Sequence, residues 1–329
     1  MENIGQLFRD FEKIKAGVIG DVMLDTYIWG EVERISPEAP VPIVSLHHRE
    51  QRLGGAGNVA LNLKSLGAKP SVISITGADE DAACLMKLYA DKGIDTTYCA
   101  SSEGRVTTNK TRIISRNQHM MRLDAEITTD LSPLDQETIL ANFKRYAEEV
   151  RPDIVILEDY NKGVLTEAVI EGVIAICREH NILTAVDPKR KNFFTYRGVD
   201  IFKPNLKEVR EALNILSVDV ALPSLQKIHD DLNKILQHRI SFITLSEKGV
   251  FYQAQDKASV IPSHIRNVAD VSGAGDTVIA VAALVYAARN NVHLMAELAN
   301  IAGGLVCEEV GTAAINPQKL YHECELLLT

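Results

Sequence analysis

The stretch Asp270-Val271-Ser272-Gly273-Ala274-Gly275-Asp276-Thr277, running straight into apolar Val278–Leu284, decides how the rest of the chain is read. Two glycines flank an alanine at the mouth of a helix, so successive backbone N–H groups can point outward unblocked. Orphan amide donors at the positive end of a helix dipole make an anion site. An aspartate inside such a site would repel an arriving phosphate. Its presence makes sense if it takes a proton while the anion is stabilised beside it. The pattern suggests phosphoryl transfer to a hydroxyl, with Asp276 as base and the amides of Gly273, Ala274 and Gly275 as charge sink. The simpler reading is a strand-to-helix turn with an acidic first turn.

The order of elements around this stretch fits such a site. Short β-rich runs at Ala16–Ile19, Ser71–Ile75, Asp153–Leu157, Leu183–Val186, Ile201–Lys203, Phe242–Leu245, Val250–Ala254 and Ala258–Pro262 read as strands. Helical runs fall at Gly57–Leu66, Asp81–Lys92, Pro133–Glu149, Glu167–His180, Leu206–Leu213, Leu222–Leu236, Ala274–Arg289 and Leu294–Glu308. Alternation of this kind predicts an α/β fold: right-handed crossovers and a mostly parallel central sheet with helices on both faces. Ligands in such sheets lie beyond the carboxyl ends of the strands. Two segments break the alternation. Tyr27–Leu46, with Pro37, Pro40 and Pro42, reads as extended or edge strand, and Arg105–Leu123 is β-like as well. Together they predict a small projecting sheet, a lid over the site. Exposed edge strands pair with further copies of a chain, so a homodimer through the lid is expected.

Composition excludes several classes. The 329 residues are 46% hydrophobic, 24% charged and 5% aromatic, an ordinary globular balance. A net charge of −9 argues against a nucleic-acid partner. Cys84, Cys99, Cys177, Cys307 and Cys324 show no paired or ligand spacing, as expected of reduced thiols in a cytoplasmic protein. Met1–Ala16 carries acids among its bases and no apolar run, so it is no signal peptide. Ile4, Leu7, Phe8, Phe11 and Ile14 there predict a short amphipathic helix. No stretch approaches the ~20 apolar residues of a membrane span, and no membrane partner is expected.

The remaining candidates each carry two readings. Gly54-Gly55-Ala56-Gly57-Asn58 joins the first lid segment to a helix. Its glycines allow backbone to approach a ligand closely and Asn58 can bond a sugar hydroxyl; otherwise it is a flexible turn. Asp21, ending the first strand, with Asp25 close behind, can accept from vicinal hydroxyls or simply be a capping acid. Only one glycine precedes it, so the dinucleotide fingerprint is absent, as is a Gly-x4-Gly-Lys-Ser/Thr loop. Arg105, Lys110, Arg112, Arg116 and Arg122 follow one another with no acid between, marking a phosphate grip or a solvated strand face. Asn205-Leu206-Lys207-Glu208 is a capping box whose Asn and Glu can also organise the water shell of a phosphate-bound Mg²⁺. Thr244–Gly249, including Ser246 and Gly249, is a hairpin turn that can border a nucleotide. Lys189, in Asp187-Pro188-Lys189, is a substrate cation or a surface lysine.

As a set these residues resemble the ribokinase-like (PfkB) carbohydrate kinases, over roughly Phe11 to Leu320. Gly54–Gly67 is similar to that family's first signature and Asp270–Ala283 to its second, with Asp276 at the base position; Asn205–Glu208 matches its Asn-x-x-Glu motif. A narrower similarity, to the D-glycero-β-D-manno-heptose-7-phosphate kinases of lipopolysaccharide core synthesis, lies in several strings. They are Glu33-Arg34-Ile35-Ser36-Pro37-Glu38-Ala39-Pro40-Val41-Pro42, Arg116-Asn117-Gln118, Arg122-Leu123-Asp124, Asp159-Tyr160-Asn161-Lys162-Gly163 and Asp187-Pro188-Lys189. The resemblance implies one ribokinase-like domain over 1–329, with lid segments at about 22–50 and 105–123. It implies ATP-dependent phosphorylation of the anomeric C1 hydroxyl to give heptose 1,7-bisphosphate. Mg²⁺ would be carried by nucleotide and water, and some members use a monovalent cation such as K⁺ near the anion hole. Asn205, Leu206, Lys207, Glu208, Ser246, Gly249 and Asn300 fall on the nucleotide side. Asp21, Gly54, Gly55, Asn58, Lys110, Arg112, Arg116, Arg122, Lys162 and Lys189 fall on the sugar-phosphate side. There are departures: Val271-Ser272 replaces the commoner Thr-Thr or Thr-x, Ser246 stands where Gly is frequent, and Arg190 follows Asp-Pro-Lys in place of Gly. The chain ends at Thr329 without the His-x-Gly-His type signature of a fused nucleotidylyltransferase, so adenylylation is expected from another protein. Competing readings are a kinase of another sugar phosphate such as fructose or tagatose phosphate, a non-catalytic sugar-phosphate-binding regulator, and a nucleoside kinase.

Overall fold

Continuous apolar runs that suit only a doubly covered sheet form the centre of the protein. The computed structural model describes residues 3–116, 118–264 and 266–328. Asn117, one of the residues quoted above, lies outside them. The first half of the chain carries α1 (Ile4–Phe11), β1 (Lys15–Gly20), β2 (Val22–Ile35), β3 (Pro42–Gly55), α2 (Ala56–Ser65), β4 (Lys69–Ile73), β5 (Ile75–Gly77), α3 (Glu80–Lys92), β6 (Ala100–Ser102), β7 (Thr108–Ser115), β8 (Gln118–Ala125) and α4 (Pro133–Val150). The second carries β9 (Ile154–Glu158), α5 (Glu167–Glu179), β10 (Leu183–Asp187), β11 (Ile201–Phe202), α6 (Leu206–Ala212), α7 (Leu222–Leu236), β12 (Ile240–Thr244), β13 (Val250–Ala254), β14 (Lys257–Ile261), α8 (Ala274–Arg289), α9 (Val292–Val306) and α10 (Pro317–Leu328).

The main sheet has eight strands in the order β14-β13-β12-β11-β10-β9-β1-β4. It is parallel from β4 to β12, and β13 and β14 add antiparallel at one edge. Every residue of β9 is buried. One core lies between the sheet and the layer of α1, α2, α8, α9 and α10. The other lies under α4, α5 and α7. Burying a Val, Leu, Ile or Phe side chain is worth about 1.5–3 kcal/mol. Helix α8 is apolar on every side and buried from Asp276 to Tyr286, so its amino end is fixed in place by the core itself. Other helices use side-chain caps: Asp79 for α3, Ser132 for α4, Thr166 for α5 and Asn291 for α9.

A second sheet, β3-β2-β7-β8, is made from the two segments that broke the alternation. Its first strand starts where the lid segment was expected, and β3 runs five residues past the expected end. β2 begins at Val22 and β3 continues to Gly55, so Gly54 and Gly55 end a strand, with Gly55 at φ 57, where a glycine is favoured. The body-side ends of β2 and β3 are buried and most of the far halves are exposed, as is all of β8. The β5–β6 pair and α10 were not expected from the sequence. β5 and β6 are only three residues each, too short for a periodicity to show.

Candidate active site

Three parallel strands end side by side beneath the mouth of α8. Gly20, Glu158 and Asp187 are register partners on β1, β9 and β10, and therefore share one face of the sheet. That face packs on α8, whose apolar partners Ile154, Ile156 and Ala185 precede them on the same strands. Lys203, one residue past β11, reaches Asp187 at 2.8 Å.

Helix α8 has no side-chain cap. Its N-cap is Gly273, at φ 79, and no side chain answers the first amides. The Ala274 N–H leans back to the Val271 carbonyl at 3.3 Å. Among the described residues the amides of Gly273, Gly275 and Asp276 have no partner, so the open donors are these three and not the expected trio. Asp270 shapes the approach to them. Its carboxylate accepts from the Ser272 amide (3.0 Å) and hydroxyl (2.9 Å), and from the Gly311 amide (2.9 Å).

Asp276 is 2% exposed. Its Oδ2 accepts from Asn58 Nδ2 and its Oδ1 from the Tyr160 hydroxyl, both at 2.7 Å. Burial pushes its carboxyl up to about 6; the two hydrogen bonds pull against this and nearby Asp187 adds to it. Asn58 is oriented in turn by Asn62, whose Nδ2 donates to the Asn58 side chain at 3.3 Å and whose Oδ1 accepts from Thr277 and the Ile315 amide. Asp187 is pushed up by burial, but Lys189 and Lys203 outweigh this and keep it below the ordinary range. Glu158 is fully buried, and burial, then Asp187 and Asp276, raise it well above the usual carboxylate value.

The lid sheet supplies the opposite wall. Asp25 accepts from Arg112 (2.5 Å) and from the Thr312 hydroxyl (3.0 Å). The Tyr27 hydroxyl bonds the Thr312 hydroxyl and accepts from the Thr312 amide. Arg52 donates to the carbonyls of Val310 and Thr312 at 3.0 Å and lies over the Tyr27 ring. The close fit is visible at two glycines. A Cβ on Gly54 would stand 2.4 Å from Asp25 Oδ2, and one on Gly273 2.7 Å from Asn58 Nδ2.

The other expected residues divide by position. Asp21 holds a loop: its carboxylate accepts from the amides of Tyr160, Lys162 and Val164 at 2.8, 3.0 and 3.1 Å. The neighbouring Asp25 is instead engaged by the lid sheet and the 312 loop, through Arg112 and Thr312. The run of five cations is broken up by acids, two from β2 and one from Arg122's own strand. Arg112 pairs with Asp25, Arg116 with Glu31 and Arg122 with Asp124. Arg116 sits at the far hairpin, six residues and about 20 Å along the strand from Lys110. Arg105 donates to the Lys162 carbonyl. Lys162 pairs with Glu126 at 2.8 Å. Lys189 reaches Glu208 at 2.7 Å and Asp187 at 3.4 Å, and its ammonium lies 5.5 Å from the centre of the Tyr160 ring, as Lys110 does at 5.6 Å.

Of the residues expected toward a nucleotide, Asn205 and Glu208 form the capping box of α6 in full. Leu206 packs against the second core and Lys207 is exposed toward Glu211. Ser246 takes φ 56 and Gly249 φ 96, the left-handed region. Asn300 donates to the Pro262 carbonyl at 2.9 Å. Sequence reasoning missed Tyr160, Thr312, Arg52 and Lys203. Tyr160 stood in a quoted string without a role. Thr312 meets Asp25 across 287 residues, for which a single sequence holds no signal.

A buried carboxylate with raised proton affinity, flanked by unpaired amides, can accept a hydroxyl proton while a phosphoryl group gains charge beside it. The comparisons agree with that chemistry. A model of the pfkB family carbohydrate kinases matches residues 13–319. The Bifunctional protein HldE of Geobacter sulfurreducens is 38% identical over 320 residues, which is 97% of this chain and 64% of the relative. That of Sulfurimonas denitrificans is 40% identical over 299 residues, 91% of this chain and 62% of the relative. The chain thus spans a little under two thirds of these relatives. Among solved structures, Arabidopsis thaliana ribokinase with ribose and ATP superposes with a TM-score of 0.70 at 16% identity, covering 94% of this chain and 98% of that one. Escherichia coli phosphofructokinase-2 with fructose-6-phosphate gives 0.75 at 15% identity, covering 95% and 99%. These two show a shared fold.

Proposed function

The chain belongs to the pfkB family of carbohydrate kinases, and we propose that it phosphorylates the anomeric C1 hydroxyl of D-glycero-β-D-manno-heptose 7-phosphate at the expense of ATP. Asp276 takes the hydroxyl proton as the sugar oxygen forms its bond to the γ-phosphorus. The bond from that phosphorus to the β–γ bridging oxygen breaks, and ADP leaves with the electron pair. The free amides of Gly273, Gly275 and Asp276 stabilise charge on the transferring group. Asp25, Gly54 and Asn58 line the sugar, and Lys110 and Arg112 face its phosphate. Asp276 between Asn58 and Tyr160, beside those amides, is the observation that carries this reading.

The proposed cation is Mg²⁺ carried by nucleotide and water. No group of three His, Cys, Asp or Glu among the described residues could hold a metal directly. Glu208, near Lys189 and Asp187, would act on the water shell of Mg²⁺, which when bound supplies charge neutralisation of the phosphates. A potassium ion near the anion hole belongs to the same proposal. The heptose assignment is supported by the HldE similarity over nearly the whole chain. We place the protein in the cytoplasm as one catalytic domain with lid segments. No described helix is long and apolar enough to cross a membrane.

The deciding experiment is a coupled ADP-release assay over a panel of sugar phosphates, with Asp276→Asn beside the native protein. Heptose 7-phosphate should give the highest kcat/KM. The variant should lose about 10²–10⁴ in turnover while still binding sugar, the range of a general base. A preference for fructose or tagatose phosphate would move the substrate assignment. Near-native turnover of the variant would remove the mechanism.

A further inference from the structure

Tyr160, in the loop between β9 and α5, is the polar group of this site that the phosphoryl-transfer chemistry leaves without a task. The loop that carries it is held from several sides. Asp21 accepts its amide and those of Lys162 and Val164. Asp159 accepts from the Asn161 amide at 2.8 Å and from the Tyr196 hydroxyl at 2.7 Å. Asn161 sits at φ 54 and Gly163 at φ 89, so the backbone is turned sharply on both sides of Lys162. A loop fixed in this way presents its tyrosine in one direction. The phenol oxygen arrives 2.7 Å from Asp276 Oδ1. The ring is flanked by two ammonium groups, Lys110 from the lid sheet and Lys189 from the body.

Resting on the kinase reading above, we infer that Tyr160 is a positioning residue: together with Asn58 it fixes the plane of the Asp276 carboxylate. A carboxylate oxygen has two lone-pair sites. With Tyr160 filling one on Oδ1 and Asn58 one on Oδ2, the carboxylate cannot rotate, and the remaining lone pairs are held ready for the acceptor hydroxyl. Lys110 and Lys189 hold the ring that does this, so the phenol belongs to both walls of the site.

Phenylalanine at 160 keeps the ring and removes only the donor. Tyr160→Phe should lower kcat about tenfold or more, while the sugar-phosphate KM stays within about threefold, the pattern of an interaction realised at the chemical step. The acid limb of the kcat profile should move to higher pH, because a donor favouring the charged carboxylate is gone. The groups facing Asp276 and Tyr160 are Asn58 on α2, Glu158 on β9, Asp187 on β10, Lys203 beyond β11, Lys110 on β7 and Lys189. The substitution alters none of their charges, so the displaced limb reports the lost hydrogen bond. In an Asp276→Asn background the same change should cost less than about twofold, since the group it acts through is gone.

A turnover within about twofold of native with an unmoved acid limb would overturn the inference, as would a full additional loss in the Asp276→Asn background. Incorporating 3-fluorotyrosine at position 160 gives a second measurement that keeps ring and fold. Its stronger donor should move the limb to lower pH, and an unmoved limb counts against the role. The outcomes separate cleanly. Near-native Asp276→Asn defeats the kinase mechanism itself, whereas an impaired Asp276→Asn beside an unaffected Tyr160→Phe defeats only the positioning role.

Discussion

Turnover should fall as pH drops through about 6, because burial, chiefly, raises the Asp276 carboxyl to that value and its protonated form accepts nothing from a hydroxyl. An ordinary aspartate would keep its charge until near pH 4. A kcat profile with its acid limb near 4 would show that Asp276 is not enclosed as described. Asp21 makes a contrasting prediction. Its carboxylate serves three amides of one loop, so Asp21→Asn turns an acceptor oxygen into a donor facing a donor. The cost should be about 1–3 kcal/mol of stability, read as an earlier thermal midpoint. Sequence could show that two acids follow β1 four positions apart. It could not show which one is committed to holding a loop, because that loop lies 139 residues away.

Helix α8 differs from α3, α4, α5 and α9 in having glycine where they have an Asp, Ser, Thr or Asn cap. The amides those helices satisfy internally are left open here, and Asp270 bends the preceding loop so that they stay open. Strand β3 contributes to the same geometry through Arg52, which ties the lid sheet to residues 310–312 and so to the Gly311 amide on Asp270. Arg52→Met should lower kcat/KM about tenfold, equivalent to roughly 1.4 kcal/mol and near the lower end of what a charged hydrogen bond contributes. Steady-state kinetics with both substrates varied would test this, and an unchanged kcat/KM would mean that the loop holds its shape without the lid. The uncapped helix start with its aspartate was legible because glycines, aspartate and helix are contiguous. Its support was not, because β3 and the 310–312 loop meet only in the fold.

The exposed side of the lid carries Ile35, Val41, Leu46, Met121 and Leu123, each more than half exposed. An open edge strand, β8, lies beside them. We predict a homodimer through this sheet, visible as doubled mass in light scattering at micromolar concentration. Met121→Lys with Leu123→Lys should give monomers, since a charged edge resists pairing. A native protein that is already monomeric would refute the arrangement. At the opposite extreme, the core under α4 rests on fully buried aromatics. Phe143→Ala should cost about 3–5 kcal/mol with no special effect on the pH profile of whatever protein remains folded.

Local chemistry was enough to write down the α/β order, the parallel sheet, the lid segments and the pairing of Asp276 with open amides. Periodicity, turn residues and a glycine-flanked helix start are all properties of neighbours along the chain. The tertiary structure alone decided which charges matter. It spent Asp21 on a loop and brought acids of β2 against Arg112 and Arg116. It also carried Tyr160, Thr312 and Arg52 to a point none of them adjoins in sequence. Electrostatic energy and hydrogen bonding depend on distance through space, and for residues a hundred or more positions apart that distance is fixed only when the two cores close.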